Sequence, residues 1–201
     1  MKGKRFCAAC EFETARLRVE EWHGCRSTSS ARQDLAHIVA QILTEPVTRS
    51  LPEAWAGPYS VERARRWIAE RDEGGTTLLV IERSTQETAG LVVLFEFESD
   101  LGVEVRLGYL LAERFWGKGL ASELIAGLVR WCREQVDIHS IAGGVARDNP
   151  ASKRVLEKAG FGADPADEGG TGEEILRIVL RAHSRGADAP DEIDDQEVDD
   201  G

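Results

Sequence analysis

No apolar run in the 201-residue chain approaches the ~20 residues that a membrane-spanning helix needs. The longest, at 89–95, is a third of that, and it excludes a helical membrane protein. Gly-x4-Gly-Lys-Ser/Thr is absent, and so is Gly-x-Gly-x-x-Gly, so the chain has neither the phosphate-loop nor the dinucleotide-binding fingerprint. There is no basic excess: the net charge is −11, and nothing suggests a nucleic-acid-binding surface. Lys2, Lys4 and Arg5 are followed by Cys7-Ala-Ala-Cys10-Glu11, which is no signal-peptide core, so a cytoplasmic protein is expected. Cysteine is scarce, at four residues. Cys7, Cys10, His23 and Cys25 are ligand types compatible with zinc. However, strand-like alternation lies between them and no second Cys-x-x-Cys supports a site, so reduced thiols without metal are expected. Cys132 lies on an apolar helix face and reads as a small core hydrophobe.

With 42% apolar and 30% charged residues, the balance is that of a soluble domain with a substantial core. The negative charge is concentrated. Residues 188–201 hold eight acidic groups and no basic one, and removing them from −11 leaves −3 for the rest. That segment has no aromatic residue and too few aliphatics to order itself. The chain is therefore divided into an extension at 1–13, one domain at 14–182 and an acidic, disordered tail at 183–201.

Residues 14–22 alternate Ala15, Leu17 and Val19 against Arg16, Arg18 and Glu20, a strand with one wet face. Ser27 to Ser30 offer caps for a helix carrying Leu35, Ile38, Val39 and Ile42, which Pro46 ends. After a loop over 48–60, Ser60 caps a second helix at 61–73, stopped by Gly74 and Gly75. Strands are predicted at 76–82, 89–98 and 103–111. Leu120, Leu124, Ile125, Leu128, Trp131 and Cys132 then mark one face of a long helix. A strand at 140–146, a short helix at 151–159 and two final strands complete the order β-α-α-β-β-β-α-β-α-β-β. Antiparallel hairpins before a crossover helix predict an α+β fold with a central mixed, mostly antiparallel sheet flanked by helices.

Between the strand ending at Leu111 and the helix starting at Leu120 lies Arg114-Phe-Trp-Gly117-Lys118-Gly119. Gly117 and Gly119 let a bulky anion approach the backbone, and the helix behind them has unpaired N–H groups in its first turn. With Arg114 and Lys118 adding positive charge, this is a place for a phosphate or pyrophosphate. Further on, Asn149 and Pro150 have the chemistry of a helix start, followed by Ser152 and by Gly160-Phe161.

Arg114-x-x-Gly117-x-Gly119, followed after a helix and a strand by Asn149-x-x-Ser152 and Gly160-Phe161, resembles the paired motifs of the GNAT superfamily of N-acetyltransferases. With Leu107-Gly-Tyr-Leu-Leu111 before the turn, the resemblance is to the ribosomal-protein branch, and it covers about 14–182. It implies direct acetyl transfer from acetyl-CoA, as co-substrate, to a primary amine of a protein or peptide N-terminus or of a small molecule. The backbones of Leu110 and Leu111 would meet pantetheine, and those of Trp116, Gly117, Lys118, Gly119, Leu120 and Ala121 the pyrophosphate. The Asn149 side chain would hold the pantetheine arm. Many members carry a Tyr seven residues after that Asn as acid for the thiolate; here it is Leu156, and Ser152 fills the role as in the ribosomal-protein branch. The usual glutamate two residues before the strand glycine is replaced by Arg106, leaving Glu104 as base or no dedicated base at all. With a hairpin centred near Leu101, Glu96 is expected opposite Arg106 as a cross-strand pair. His37, Trp55, Tyr59 and Glu96 are candidates for the acceptor walls. Rival readings are an aminoglycoside-type antibiotic acetyltransferase with a more acidic acceptor pocket, and a CoA-binding sensor without catalysis. Oligomeric state has no signature in the sequence; a homodimer is compatible with it.

Overall fold

The computed structural model of the chain describes residues 6–24, 35–165 and 172–180. The tail expected at 183–201, the caps at Ser27 to Ser30 and Cys25 lie outside them. A 3-10 turn at Phe6–Ala9 leads to β1 (Phe12–Glu13) and β2 (Leu17–Glu21). Then come α1 (Leu35–Ile42), α2 (Glu45–Thr48), a 3-10 turn at Glu53–Trp55, and α3 (Val61–Gly74). Next are β3 (Thr76–Glu82), β4 (Thr88–Ser99), β5 (Gly102–Leu111) and a 3-10 turn at Glu113–Phe115. They are followed by α4 (Leu120–Glu134), β6 (Ile138–Ala146), α5 (Pro150–Lys158), β7 (Gly162–Ala163) and β8 (Glu173–Val179).

The strands form one sheet in the order β1-β2-β3-β4-β5-β6-β8-β7. Every neighbouring pair is antiparallel except β5 and β6. That parallel pair needs a crossover, and α4 is it. The expected α+β class and mixed, mostly antiparallel sheet are thus observed. Two short elements escaped the sequence reading. β1 has two residues, too few to show a period. Pro46, expected to end a helix, sits instead in the first turn of α2, where its missing N–H costs nothing.

Successive residues of a strand face opposite sides, so the sheet has two distinct faces. Odd-numbered residues of β5, including Val105, Leu107, Tyr109 and Leu111, lie under α4 and α5. Leu156 of α5 stands 3.2 Å from where a Cβ on Gly143 would be, and Leu107 stands 3.6 Å from it. The other face carries α1 and α3 over β3 and β4. Ser60 caps α3 through its hydroxyl, which accepts the Arg63 N–H at 3.2 Å. Leu124, Ile125, Leu128 and Cys132 of α4 are fully buried, as their spacing predicts.

Candidate active site

The site begins where the sheet comes apart. β5 and β6 run together only from Val103 beside Ile138 to Leu107 beside Gly143. Beyond that point β5 stays on β4 as far as Leu111, while β6 stays on β8 as far as Ala146. A gap therefore opens between 108–111 and 144–146. Ala112 N–H donates to the Ala89 carbonyl at 2.9 Å. Antiparallel alternation then commits the peptide groups of Leu110 to its partner Leu91, and turns those of Tyr109 and Leu111 toward the gap. The expectation that Leu110 offers its backbone there is corrected by this register. At Leu111 the carbonyl accepts the Trp116 indole N–H at 2.7 Å, and its N–H still faces the gap. A Cβ on Gly108 would meet nothing within 4 Å, so the mouth is open there.

At one end of the gap, the chain turns from β5 into α4. Gly117 and Gly119 have φ of 71° and 74°, a region that favours glycine. No side chain caps α4, so the first-turn N–H groups of Leu120 and Ala121 are left without an intrahelical partner. The Trp116 N–H is committed to the Glu113 carbonyl at 3.0 Å, so the run of open amides starts at Gly117. Lys118 is exposed, its ammonium 5.2 Å from the Phe115 ring centre. Arg114 also lies over that ring, at 4.9 Å, but its donors are engaged: Nε donates to Glu87 at 3.1 Å and an Nη to the Thr88 carbonyl at 3.4 Å.

The second cation at this turn comes from elsewhere. Arg16 donates from Nε to Glu123 at 2.6 Å and from Nη1 to the Lys118 carbonyl at 2.9 Å. Its Nη2 stands 3.7 Å from the position of a Cβ on Gly119. Glu123 also accepts the Thr14 hydroxyl at 2.6 Å and the Arg16 N–H at 2.7 Å. Burial works to raise the Glu123 carboxyl, but these hydrogen bonds and the guanidinium charge outweigh it and hold it below the ordinary carboxylate range. Arg16 reads in sequence as the wet face of a strand, and only the fold carries it to residues 118–123.

At the other end, Asn149 caps α5. Its Oδ1 accepts the Ser152 N–H at 3.1 Å, ahead of Pro150 in the first turn. The Ser152 Oγ accepts the Tyr109 hydroxyl at 3.0 Å, so a phenol from β5 meets a serine of α5. Burial pushes the Tyr109 hydroxyl above the ordinary phenol value, against an opposing pull from Ser152. Leu156 is buried in the core between α5 and the sheet. Nothing in the sequence singled out Tyr109 by itself.

On the α3 face, the ion pairs are rearranged from those expected. Arg106 pairs in register with Phe95, and Glu96 with Val105, so Glu96 points to the opposite face from Arg106. The expected Glu96–Arg106 pair is therefore not formed, because the strands pair one residue away from the expected register. Glu96 instead accepts the Cys7 N–H at 2.6 Å. Arg106 bonds Glu104 on its own strand at 2.9 Å and lies over the Phe97 ring. The second Glu104 oxygen is paired with Arg177. Both oxygens are thus engaged, and taking up a proton would cost an ion pair.

Trp55 and Tyr59 stack edge-on against Trp67 at 5.7 and 6.4 Å between ring centres. Arg71 lies 4.5 Å over Trp55 and 6.0 Å from the Phe95 ring, which places Trp55, half-buried, near the Arg106 strand. Tyr59 is buried, with Arg63 over its ring. His37 is exposed on α1.

Among the described residues no three His, Cys, Asp or Glu side chains group as a metal would require. His23 pairs with Asp72 of α3 at 2.8 Å, on the opposite face from Cys7 and Cys10. Burial pushes the Cys7 and Cys10 thiols well above their ordinary value, and that of Cys132 up to about 12.

Residues 28–162 match the family model described as the acetyltransferase (GNAT) domain. A Bacillus subtilis (strain 168) protein named as a probable N-acetyltransferase, YjcK, is 32% identical over 108 residues, 51% of this chain and 60% of that relative. The match thus spans less than two thirds of that relative's length. The Vibrio cholerae spermidine N-acetyltransferase, solved with CoA and spermine, superposes with a TM-score of 0.62 at 19% identity, over 83% of this chain and 97% of that one. RimL, a ribosomal L7/L12 alpha-N-protein acetyltransferase solved with coenzyme A, gives 0.60 at 18%, over 83% and 95%. These two likenesses are of fold. The family match takes in the glycine turn, the sheet gap and the α5 cap, and covers more than half of the chain: the protein belongs to the GNAT acetyltransferase family.

Proposed function

We propose that the chain transfers an acetyl group from acetyl-CoA directly to a primary amine. The observation that carries this reading is the sheet gap that opens beside the uncapped start of α4. The two features match the two ends of one ligand, a diphosphate and a pantetheine arm. The amides of Gly117, Lys118, Gly119, Leu120 and Ala121 suit the diphosphate, with Lys118 and Arg16 supplying charge. Tyr109 and Leu111 suit the amides of the arm. Asn149 retains a side-chain N–H2 after capping α5 through Oδ1, and this fits its expected contact with the arm. Solved relatives in fold carry coenzyme A, which agrees with this assignment.

The chemistry asks the protein to hold a thioester carbonyl against an amine, and to ease departure of sulfur. Ser152 suits the second task, since its hydroxyl stands at the wall of the gap. For the amine proton, the ion pairs on both oxygens of Glu104 favour release to water from the neutral amine fraction over a dedicated carboxylate base. The acceptor would approach from the α3 face, past Trp55 and Arg106. An antibiotic-type reading asks for an acidic acceptor pocket. Glu104 is neutralised and Glu96 faces the other way, so a peptide N-terminus or small amine fits better.

Calorimetric titration with acetyl-CoA, followed by a thiol-release assay over peptides, polyamines and aminoglycosides, tests the proposal. Binding and turnover on at least one amine are expected. Binding with no turnover on any amine would leave a sensor, and absence of binding would remove the reading.

A further inference from the structure

We propose that Tyr109 is a positioning residue for Ser152, holding the serine hydroxyl so that its hydrogen bond reaches the sulfur that leaves during transfer. This rests on the acetyltransferase reading and gives a role to Tyr109, which the resemblance leaves without one. Tyr109 lies two residues past Leu107, where β5 and β6 part, and on the same face as Leu107. Its phenol crosses to α5 and donates to the Ser152 Oγ at 3.0 Å. Among the described contacts this is the one side-chain hydrogen bond between the free end of β5 and α5.

Ser152 is thus held from two sides. Its N–H is bonded to Asn149 Oδ1 at 3.1 Å, and one lone pair of its hydroxyl takes the phenol hydrogen. A serine hydroxyl is both donor and acceptor and otherwise rotates to whichever backbone group or water lies near it. The phenol competes with those partners and leaves the serine hydrogen for a group in the gap. As the carbon–sulfur bond breaks, its electron pair passes to sulfur, and the Ser152 O–H donates to the growing negative charge. Full proton transfer is unnecessary, because a thiol is far more acidic than an alcohol. The thiolate takes its proton from water on release, and the acceptor amine loses one to water.

The test uses the full chain, with Tyr109→Phe, Ser152→Ala and the double variant. Coenzyme A is titrated by pH on each protein, following the ultraviolet band of the thiolate. In the parent chain the bound thiol is expected to ionise about one pH unit below free coenzyme A, because a donor stabilises the thiolate. Tyr109→Phe keeps the ring and is expected to abolish that shift. It should also lower kcat about tenfold, with the KM for acetyl-CoA within twofold. Ser152→Ala should do the same, and the double variant no more than either alone. A thiol shift that survives in Tyr109→Phe, or additive losses in the double variant, overturns the proposal and leaves the transferase reading intact. Coenzyme A binding with the expected shift but no turnover on any amine would uphold the pair and sink the transferase reading. No binding at all would end both.

Discussion

A guanidinium already held in place loses little freedom when an anion arrives, whereas an ammonium on a flexible stem must be ordered first. Arg16, fixed by Glu123 and the Lys118 carbonyl, is the first kind, and Lys118 the second. Arg16→Met is therefore expected to weaken coenzyme A binding about tenfold, an ordinary figure for one charge-assisted contact. Arg114→Met, whose side chain serves Glu87, should change it less than threefold. Calorimetry on both variants checks the contrast, and a larger loss at Arg114 would refute it. Glu123 sets a pH limit on the brace. Its folded carboxyl lies below the ordinary carboxylate range, so its stabilisation is fully present above that range and is lost as the pH falls through the lowered value. Binding is thus expected to be insensitive to this group from neutral pH down to the ordinary carboxylate range. Arg114 is marked in the sequence by its motif, whereas Arg16 is not, because no pattern in a half-wet strand records which helix the strand will meet.

At the scale of elements, the strand–turn–helix from β5 to α4 was legible because a period of two gives way to one of 3.6 across two glycines. Gly119, at φ 74°, starts α4 with no side chain over its first N–H groups. Gly119→Val puts a β-branched residue where it costs about 1–2 kcal/mol, and sets methyl groups beside Arg16. It is expected to lower the thermal midpoint by a few degrees and coenzyme A affinity more than tenfold. Gly117, at φ 71°, carries backbone strain for alanine too, but with nothing within 4 Å of a Cβ its replacement by alanine should lose less binding than Gly119→Val. Equal affinity in the valine variant would mean that these amides do not hold the ligand. The hairpin of β4 and β5 was legible as a pair of strands but not in register. One residue of slip put Glu96 on the wrong face, since strand alternation has a period of two. Glu96 instead anchors the Phe6–Ala9 turn, and Cys7, Cys10 and Cys132 are buried as protonated thiols. Those three are expected to resist alkylation in the native protein and react on unfolding, as mass spectrometry of labelled peptides would report.

For the molecule as a whole, element order was readable because the longer helices and most strands carry their own periodicity, and Ser60 and Asn149 mark two of the helix starts. The gap was not. It exists because β5 keeps β4 and β6 keeps β8 after their shared pairing ends at Leu107 and Gly143, a consequence of registers summed over four strands. We propose that a chain ending at Ala182, without the acidic residues 183–201, keeps its thermal midpoint and its affinity for coenzyme A within twofold. The most direct measurement compares coenzyme A with pantetheine, which lacks the diphosphate, by calorimetric titration of the full chain. Micromolar binding of coenzyme A at one site, with pantetheine at least about tenfold weaker, is the expected result. Equal affinity for the two, or no heat with either, would contradict a diphosphate seated on the amides that begin at Gly117.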